Sequence, residues 1–369
     1  MTSRHPFHSI CPYFAMFPES FVAAQLEEFT ERDDLVFDPF CGRGTTVFES
    51  LRQGRRAAGA DINSVAACVA GAKVAAPNLA AVLHRINELE DFYGFRKPEA
   101  KAPTAFFAKC YEPRTLSEIL FLRKRLQWRH DPIDRFVVAL TLGILHGESQ
   151  RSPFALSNRM PRTISTKPAY SIRWWEERDL TPPRRRVFDC LRGAAMFRFR
   201  EAPVHRSGIV RQGDARTAAN LFPELAGQVR LVVTSPPYLD TTDFAEDQWL
   251  RLWFLGGDPR PRQRMNRDDR IRRKPDYWTF LRQAWEGVVP LLAQKATLVV
   301  RIGGAQFTKE ELFTGLTKAL RRTSLGSVEA LHQGVTSSAP SRTDALRTQP
   351  NGRHDEHDFV YRVSPACEA

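Results

Sequence analysis

The chain has 369 residues, 42% of them hydrophobic, and a formal charge of +12 from 54 lysines and arginines against 42 acids. That length suits one large or two modest domains. No run of 18 apolar residues is present, and the start Met1-Thr2-Ser3-Arg4-His5-Pro6 lacks an apolar signal core, which argues against a membrane span and a secretory leader. The six cysteines are scattered without a CxxC pair, so reduced thiols in a cytoplasmic protein are expected, with no metal site and no disulfide framework. The positive excess is clustered: residues 121–200 hold 17 lysines and arginines against 7 acids. Arg260, Arg262, Arg264, Arg267, Arg270, Arg272, Arg273 and Lys274 form a second concentration. Clustered charge suits a polyanion such as nucleic acid, although a solvated basic surface would carry the same charge.

In chain order, Phe21, Val22, Leu26 and Phe29 share one face of an expected first helix. Leu35-Val36-Phe37 reads as a strand entering the glycine loop Asp38-Pro39-Phe40-Cys41-Gly42-Arg43-Gly44-Thr45-Thr46, and a helix follows to Leu51. Ala57-Ala58-Gly59-Ala60-Asp61-Ile62 reads as a second strand ending in an acid, with a helix over 65–75 after it. This is a βαβ unit, the opening of a doubly wound sheet. The alternation stops at residue 78. Helices are expected at about 79–93, 114–128 and 132–147, then an irregular stretch rich in Pro, Arg and Trp. The α/β pattern resumes at Ile209-Val210-Arg211-Gln212-Gly213-Asp214. Strands are expected at 229–234, 296–302 and 357–363, and helices at about 245–255, 276–292 and 309–322. The apolar run Leu231-Val232-Val233 leads into Thr234-Ser235-Pro236-Pro237-Tyr238.

The glycine loop and the Ser-Pro-Pro-Tyr loop together resemble the amino-methyltransferases that use S-adenosylmethionine (SAM) to methylate an exocyclic nitrogen of a DNA base. The resemblance runs well over 1–75 and 205–305 and loosely between. It implies a Rossmann-like SAM methyltransferase sheet with a large helical insert, divided at 1–77, 78–205 and 206–364. Phe40, Gly42 and Gly44 match the family's FxGxG motif, which implies cofactor contacts there and at Asp38 and Thr45. Asp61 is expected to accept the ribose hydroxyls, and Asp214 to meet the adenine amino group. The segments His5-Pro6-Phe7-His8 and Pro12–Pro18, with Phe17, are similar to the family's segment that closes over the methionine moiety.

An exocyclic amino nitrogen is a poor nucleophile because its lone pair is delocalised into the ring. Ser235 Oγ and the Pro236 carbonyl can accept hydrogen bonds from it, Pro237 stiffens the loop, and Tyr238 offers a flat face to an extruded base. By resemblance, serine in the first position points to cytosine N4 over adenine N6. C5 chemistry needs a cysteine nucleophile in this loop, and none is there. Asp240, Asp243 and Glu246 are weaker candidates for the site wall, ahead of an aromatic stripe, Trp249 and Trp253, expected to be core. In the insert, Arg159, Arg162, Lys167, Tyr170 and Arg173 are candidates for DNA contact, with Ser157 and Asn158 beside them. The insert falls between the second and third motifs, so the basic loop 258–274 and the segment with His332, Arg342, Arg347 and Arg353 compete with it for target recognition. The expectation is a methyltransferase acting on double-stranded DNA, with a cognate restriction endonuclease as a possible partner. An RNA amino-methyltransferase, or a DNA-binding module on an inactive fold, are the alternatives.

Overall fold

Apolar strand runs buried on both faces dictate the architecture. The computed structural model describes residues 4–13, 18–96, 101–147, 152–160, 167–239, 248–261, 273–304, 306–337 and 355–366. The chain divides into two units. A sheet unit comprises 15–74, 204–243 and 266–369, and a helical unit comprises 1–14, 75–203 and 244–265.

The sheet unit contains β1 (Leu35–Asp38), β2 (Arg56–Asp61), β3 (Ile209–Gln212), β4 (Val229–Thr234), β5 (Leu292–Gly303), β6 (Leu325–Ala330), β7 (Val335–Ser337) and β8 (Glu356–Pro365). The strand order is β3-β2-β1-β4-β5-β8-β6, with β7 also pairing β8. The first five are parallel, whereas β8 runs antiparallel to β5, β6 and β7. This is a Rossmann-like doubly wound sheet. Its strand order reverses at β1, which lies between β2 and β4, and the carboxyl ends of β1 and β4 flank the position where such sheets bind ligands.

The helices are α1 (Glu19–Phe29), α2 (Thr45–Arg52), α3 (Ser64–Val74), α4 (Leu79–Arg96), α5 (Ala105–Cys110), α6 (Pro113–Arg125), α7 (Pro132–Ile144), α8 (Pro168–Glu176), α9 (Val187–Arg198), α10 (Ala218–Leu221), α11 (Trp249–Phe254), α12 (Lys274–Val288) and α13 (Lys309–Arg321). Strand alternation sorts the core into layers. Val36, Leu231, Val233 and Val299 pack with Val22 and Leu26 of α1. Leu35, Phe37, Val232, Leu298 and Val300 cluster with Leu281 and Trp285 of α12 and with Leu312 and Leu316 of α13. Ends are set locally. Thr308 and Glu311 form a reciprocal capping box on α13, and Asp131 caps α7 with Pro132 in its first turn.

The helical unit has an aromatic core. Phe107 lies 4.3 Å from Trp253 and Phe106 lies 5.7 Å from Trp175, ring centre to ring centre. Phe7 packs between Phe136 and Phe199 at 5.5 and 5.3 Å. The His5–His8 segment is thus part of this core: Arg198 donates to Ser9 Oγ at 2.6 Å, and the His5 ring meets the Ala202 carbonyl at 3.2 Å. No described helix is long and apolar enough to cross a membrane.

Four elements differ from the sequence expectation. β6 and β7 were not anticipated, because β6 is a half-exposed edge strand without apolar alternation and β7 has only three residues. Helices α8 and α9 occupy part of the Pro- and Arg-rich stretch expected to be irregular. Pro168 sits in the first turn of α8, where a proline has no backbone bond to lose.

Candidate active site

The site grows from the ends of β1, β2 and β4. Asp38 closes β1 and is 2% exposed. Thr234, at the end of β4, donates to Asp38 Oδ1 at 2.6 Å, and the Phe40 amide donates to the same oxygen at 3.1 Å. Thr46 Oγ1 donates to the Val233 carbonyl at 3.1 Å. Hydrogen bonds therefore join the two motifs that lie nearly 200 residues apart in sequence. Asp61 closes β2, its Oδ2 accepting from the Gly42 amide and its Oδ1 from the Asn63 amide, both at 2.8 Å.

Two glycines make this geometry possible. Gly44 caps α2 with φ +74°, and a Cβ there would sit 2.7 Å from Ala70 Cβ on α3. A Cβ on Gly59 would lie 2.9 Å from both Cys41 Cβ and Val47 Cγ2, so its absence lets the loop lie on β2. Gly44→Ala is expected to cost about 1–3 kcal/mol from left-handed backbone strain and the α2–α3 clash. Urea unfolding checks this, and an unchanged midpoint would contradict it.

Burial pushes the Asp38 carboxyl up to about 7 against the bonds from Thr234 and Phe40, and the nearby Asp61 carboxylate adds to the rise. Burial likewise pushes Asp61 up to about 6 against the Asn63 and Gly42 amides. Neither carboxyl forms an ion pair among the described residues. Two uncompensated carboxyls at the switch point suit a ligand that brings positive charge and hydroxyl donors. Ile62, beside Asp61, is 63% exposed, an apolar surface available to a ring. The sequence reading did not assign Ile62; its position directly after the strand-end acid was the available signal.

Asp214 is differently placed. It caps the turn after β3, and both its oxygens accept from the Arg216 guanidinium. Its carboxylate is thus an ion-pair partner within its own turn. Phe40 is half-buried and packs on Phe280 at 5.9 Å, Gly42 serves through its amide, and Thr45 is buried in the first turn of α2. Phe17, Arg162, Asp240, Asp243, Glu246, Arg342, Arg347 and Arg353 lie outside the described residues, as do residues 262–272 of the basic loop 258–274.

In the Ser-Pro-Pro-Tyr loop, Pro236 is buried, while Ser235, Pro237 and Tyr238 are half-exposed. Ser235 Oγ donates to Tyr238 Oη at 3.2 Å, and Tyr238 Oη donates to Glu356 Oε1 of β8 at 3.2 Å. Arg301 of β5 makes a two-pronged ion pair with Asp358, at 2.6 and 2.8 Å. It also stands 3.8 Å from Glu356. Sequence reasoning missed Glu356, Arg301 and Asp358, because only the antiparallel β5–β8 register brings them to this loop.

In the helical unit, Lys167 at the N-cap of α8 and Tyr170 and Arg173 within it are exposed, while Ser171 and Trp175 are buried. Arg159 is exposed as well. Ser157 and Asn158 are buried and occupied: Asn158 Nδ2 donates to the Lys109 and Leu180 carbonyls, and Ser157 Oγ to the Asn158 carbonyl. These two hold the loop in place and present nothing to a ligand. Some of the unit's arginines are held in ion pairs: Arg85 with Asp134, Arg184 with Glu118, and Arg192 with Glu90 and Asp189.

Residues 3–70 match a family model described as DNA methylase. No match is found among curated proteins. Among solved structures, the rRNA methyltransferase aviRa from Streptomyces viridochromogenes is similar over 98% of this chain and 94% of its own, at 13% identity and a TM-score of 0.35. TrmN from Thermus thermophilus is similar over 97% of this chain and 52% of its own, at 11% identity and 0.33. A SAM-dependent methyltransferase from Agrobacterium tumefaciens is similar over 95% and 64%, at 10% identity and 0.33. The Rossmann-like character of the sheet lies in its strand order. The sheet is Rossmann-like, and its switch-point carboxyls, its glycine loop and the DNA-methylase match over 3–70 fit S-adenosyl-L-methionine as the cofactor.

Proposed function

We propose that the sheet unit methylates an exocyclic amino group of a DNA base, cytosine N4, on a base turned out of the duplex. The observation that carries this reading is the hydrogen bond between Thr234 and Asp38, which holds the Ser-Pro-Pro-Tyr loop against the glycine loop. When bound, SAM supplies a methyl group on a positively charged sulfur. Asp61 would hold the ribose hydroxyls, Ile62 would offer an apolar surface to the adenine, and the Asp38 carboxylate would offset the cofactor's positive charge. Ser235 Oγ and the Pro236 carbonyl accept from the target amino group, which draws its lone pair out of the ring. The Tyr238 ring lies along the base. On the helical unit, Lys167, Tyr170 and Arg173, with Arg159 and Arg162, contact double-stranded DNA.

This reading makes cofactor binding proton-linked. Ribose hydroxyls donate to the ionised form of Asp61, so SAM favours ionisation. Affinity is expected to hold above pH 7, to weaken below it as the Asp38 carboxyl protonates, and to fall more steeply below pH 6, where the Asp61 carboxyl is protonated as well in the free protein. The stability contribution has the opposite sign. Raised carboxyls favour the ligand-free fold fully below the ordinary Asp value of about 4, and that contribution is lost as pH rises through about 6 and 7. Calorimetric titration of SAM from pH 5 to 8 checks the first effect, and a flat affinity would contradict it.

The function is tested in cells. Genomic DNA from a host making the protein, digested to nucleosides, is expected to contain N4-methylcytosine absent from the parent. N6-methyladenine instead would keep the class and overturn the assignment of the base. Methylated nucleosides confined to RNA would move the substrate to RNA.

A further inference from the structure

The hydroxyl chain behind the Ser-Pro-Pro-Tyr loop has a direction. A carboxylate only accepts hydrogen bonds, so at Glu356 the proton must come from Tyr238. The Tyr238 oxygen, having given its only proton to Glu356, is left as an acceptor. The partner it accepts from is Ser235 Oγ. The serine proton is thereby drawn toward Tyr238, and the remaining lone pairs of Oγ are free to accept elsewhere. A serine with a freely rotating proton would present a donor as readily as an acceptor.

We propose that Glu356 is a positioning residue that acts through the Tyr238 hydroxyl to hold Ser235 Oγ as a hydrogen-bond acceptor toward the target amino group. This rests on the reading of Ser235 as that acceptor.

The surroundings of Glu356 support the role. In the β5–β8 register Arg301 stands opposite Asp358, two residues along β8 from Glu356, so both acids project from the same face of the strand. The Arg301 side chain is 6% exposed, held by Asp358 in front and stacked over the Phe21 ring at 3.7 Å. A fixed cation 3.8 Å from Glu356 favours its ionised, acceptor-only form and opposes the rise that burial causes. Burial and the Glu356 charge push the Tyr238 hydroxyl well above its ordinary range, so it stays protonated and able to donate. Both hydroxyl bonds are at the long end for this type of pair, so their part is to set direction more than to add binding strength.

The inference separates two uses of Tyr238. If the ring alone matters, Tyr238→Phe is silent. If the hydroxyl orients Ser235, Tyr238→Phe and Glu356→Leu each lower the single-turnover rate about tenfold, with the KM for DNA and the Kd for SAM within about twofold of the parent. Glu356→Gln retains an acceptor oxygen and is expected to keep the rate within about threefold. It also serves if the leucine variant does not fold. The decisive comparison uses the full chain with labelled SAM and duplex DNA, in the parent and in Ser235→Ala. Adding Tyr238→Phe to Ser235→Ala should cause no further loss, because the chain has no remaining target. A parental rate in Tyr238→Phe, or a loss that multiplies with that of Ser235→Ala, would overturn the inference while leaving the function intact. A parental rate in Ser235→Ala itself would overturn the functional reading, and the inference with it.

Discussion

Ser235→Ala is expected to lower the methyl-transfer rate roughly a hundredfold while leaving SAM affinity within about twofold of the parent. The loss is large because the alanine removes an acceptor matched to charge that develops only as the amino nitrogen attacks. Cofactor affinity is spared because Ser235 Oγ bonds Tyr238 and makes no hydrogen bond to the glycine loop among the described residues. The proline carbonyl at 236 still holds part of the amino group, so activity does not vanish. Single-turnover rates at saturating SAM, with calorimetry alongside, check both halves. An equal loss of SAM affinity would remove Ser235 from the base side of the site.

Asp61→Ala should do the reverse. Hydrogen bonds to a charged group are each worth about 1.5–3 kcal/mol, so losing two to the ribose would weaken SAM binding roughly a hundredfold or more. Part of the effect is structural. The same carboxylate accepts from the Gly42 and Asn63 amides, so alanine also loosens the glycine loop. Asp61→Asn separates the contributions, since it keeps an acceptor oxygen for one amide but loses the charge. An intermediate affinity is expected for Asn. Unaltered SAM binding in the alanine variant would rule out Asp61 as the ribose ligand.

The parts of the site that were legible in the sequence share a cause. β1 and β4 are buried on both faces, so they stand out as apolar runs, and their loops follow at once with residues that few other contexts require. Asp61 was legible for the same reason, as an acid at the end of a small-residue strand. Glu356 and Arg301 were not legible. Each reads as an ordinary charged residue of a strand, and only a pairing across 57 residues makes Arg301 a partner of Asp358. The basic charge of the insert was visible, but its use was not. Sequence cannot show that Arg184 and Arg192 are consumed by Glu118 and Glu90, whereas Lys167 and Arg173 form no ion pair with the described residues. Ser157 and Asn158 misled because a buried, backbone-bonded polar pair has the same composition as a binding loop.

The proposed function is methyl transfer from SAM to a DNA base where the glycine loop and the Ser-Pro-Pro-Tyr loop are joined by Thr234 and Asp38. The most direct measurement incubates the purified full chain with methyl-labelled SAM and unmethylated duplex DNA, with bulk tRNA in parallel, and identifies the labelled nucleoside by mass spectrometry. The account predicts label in DNA as N4-methylcytosine, strongly reduced in Ser235→Ala. Label in tRNA alone, or SAM binding with no transfer to DNA drawn from many sequences, would contradict it.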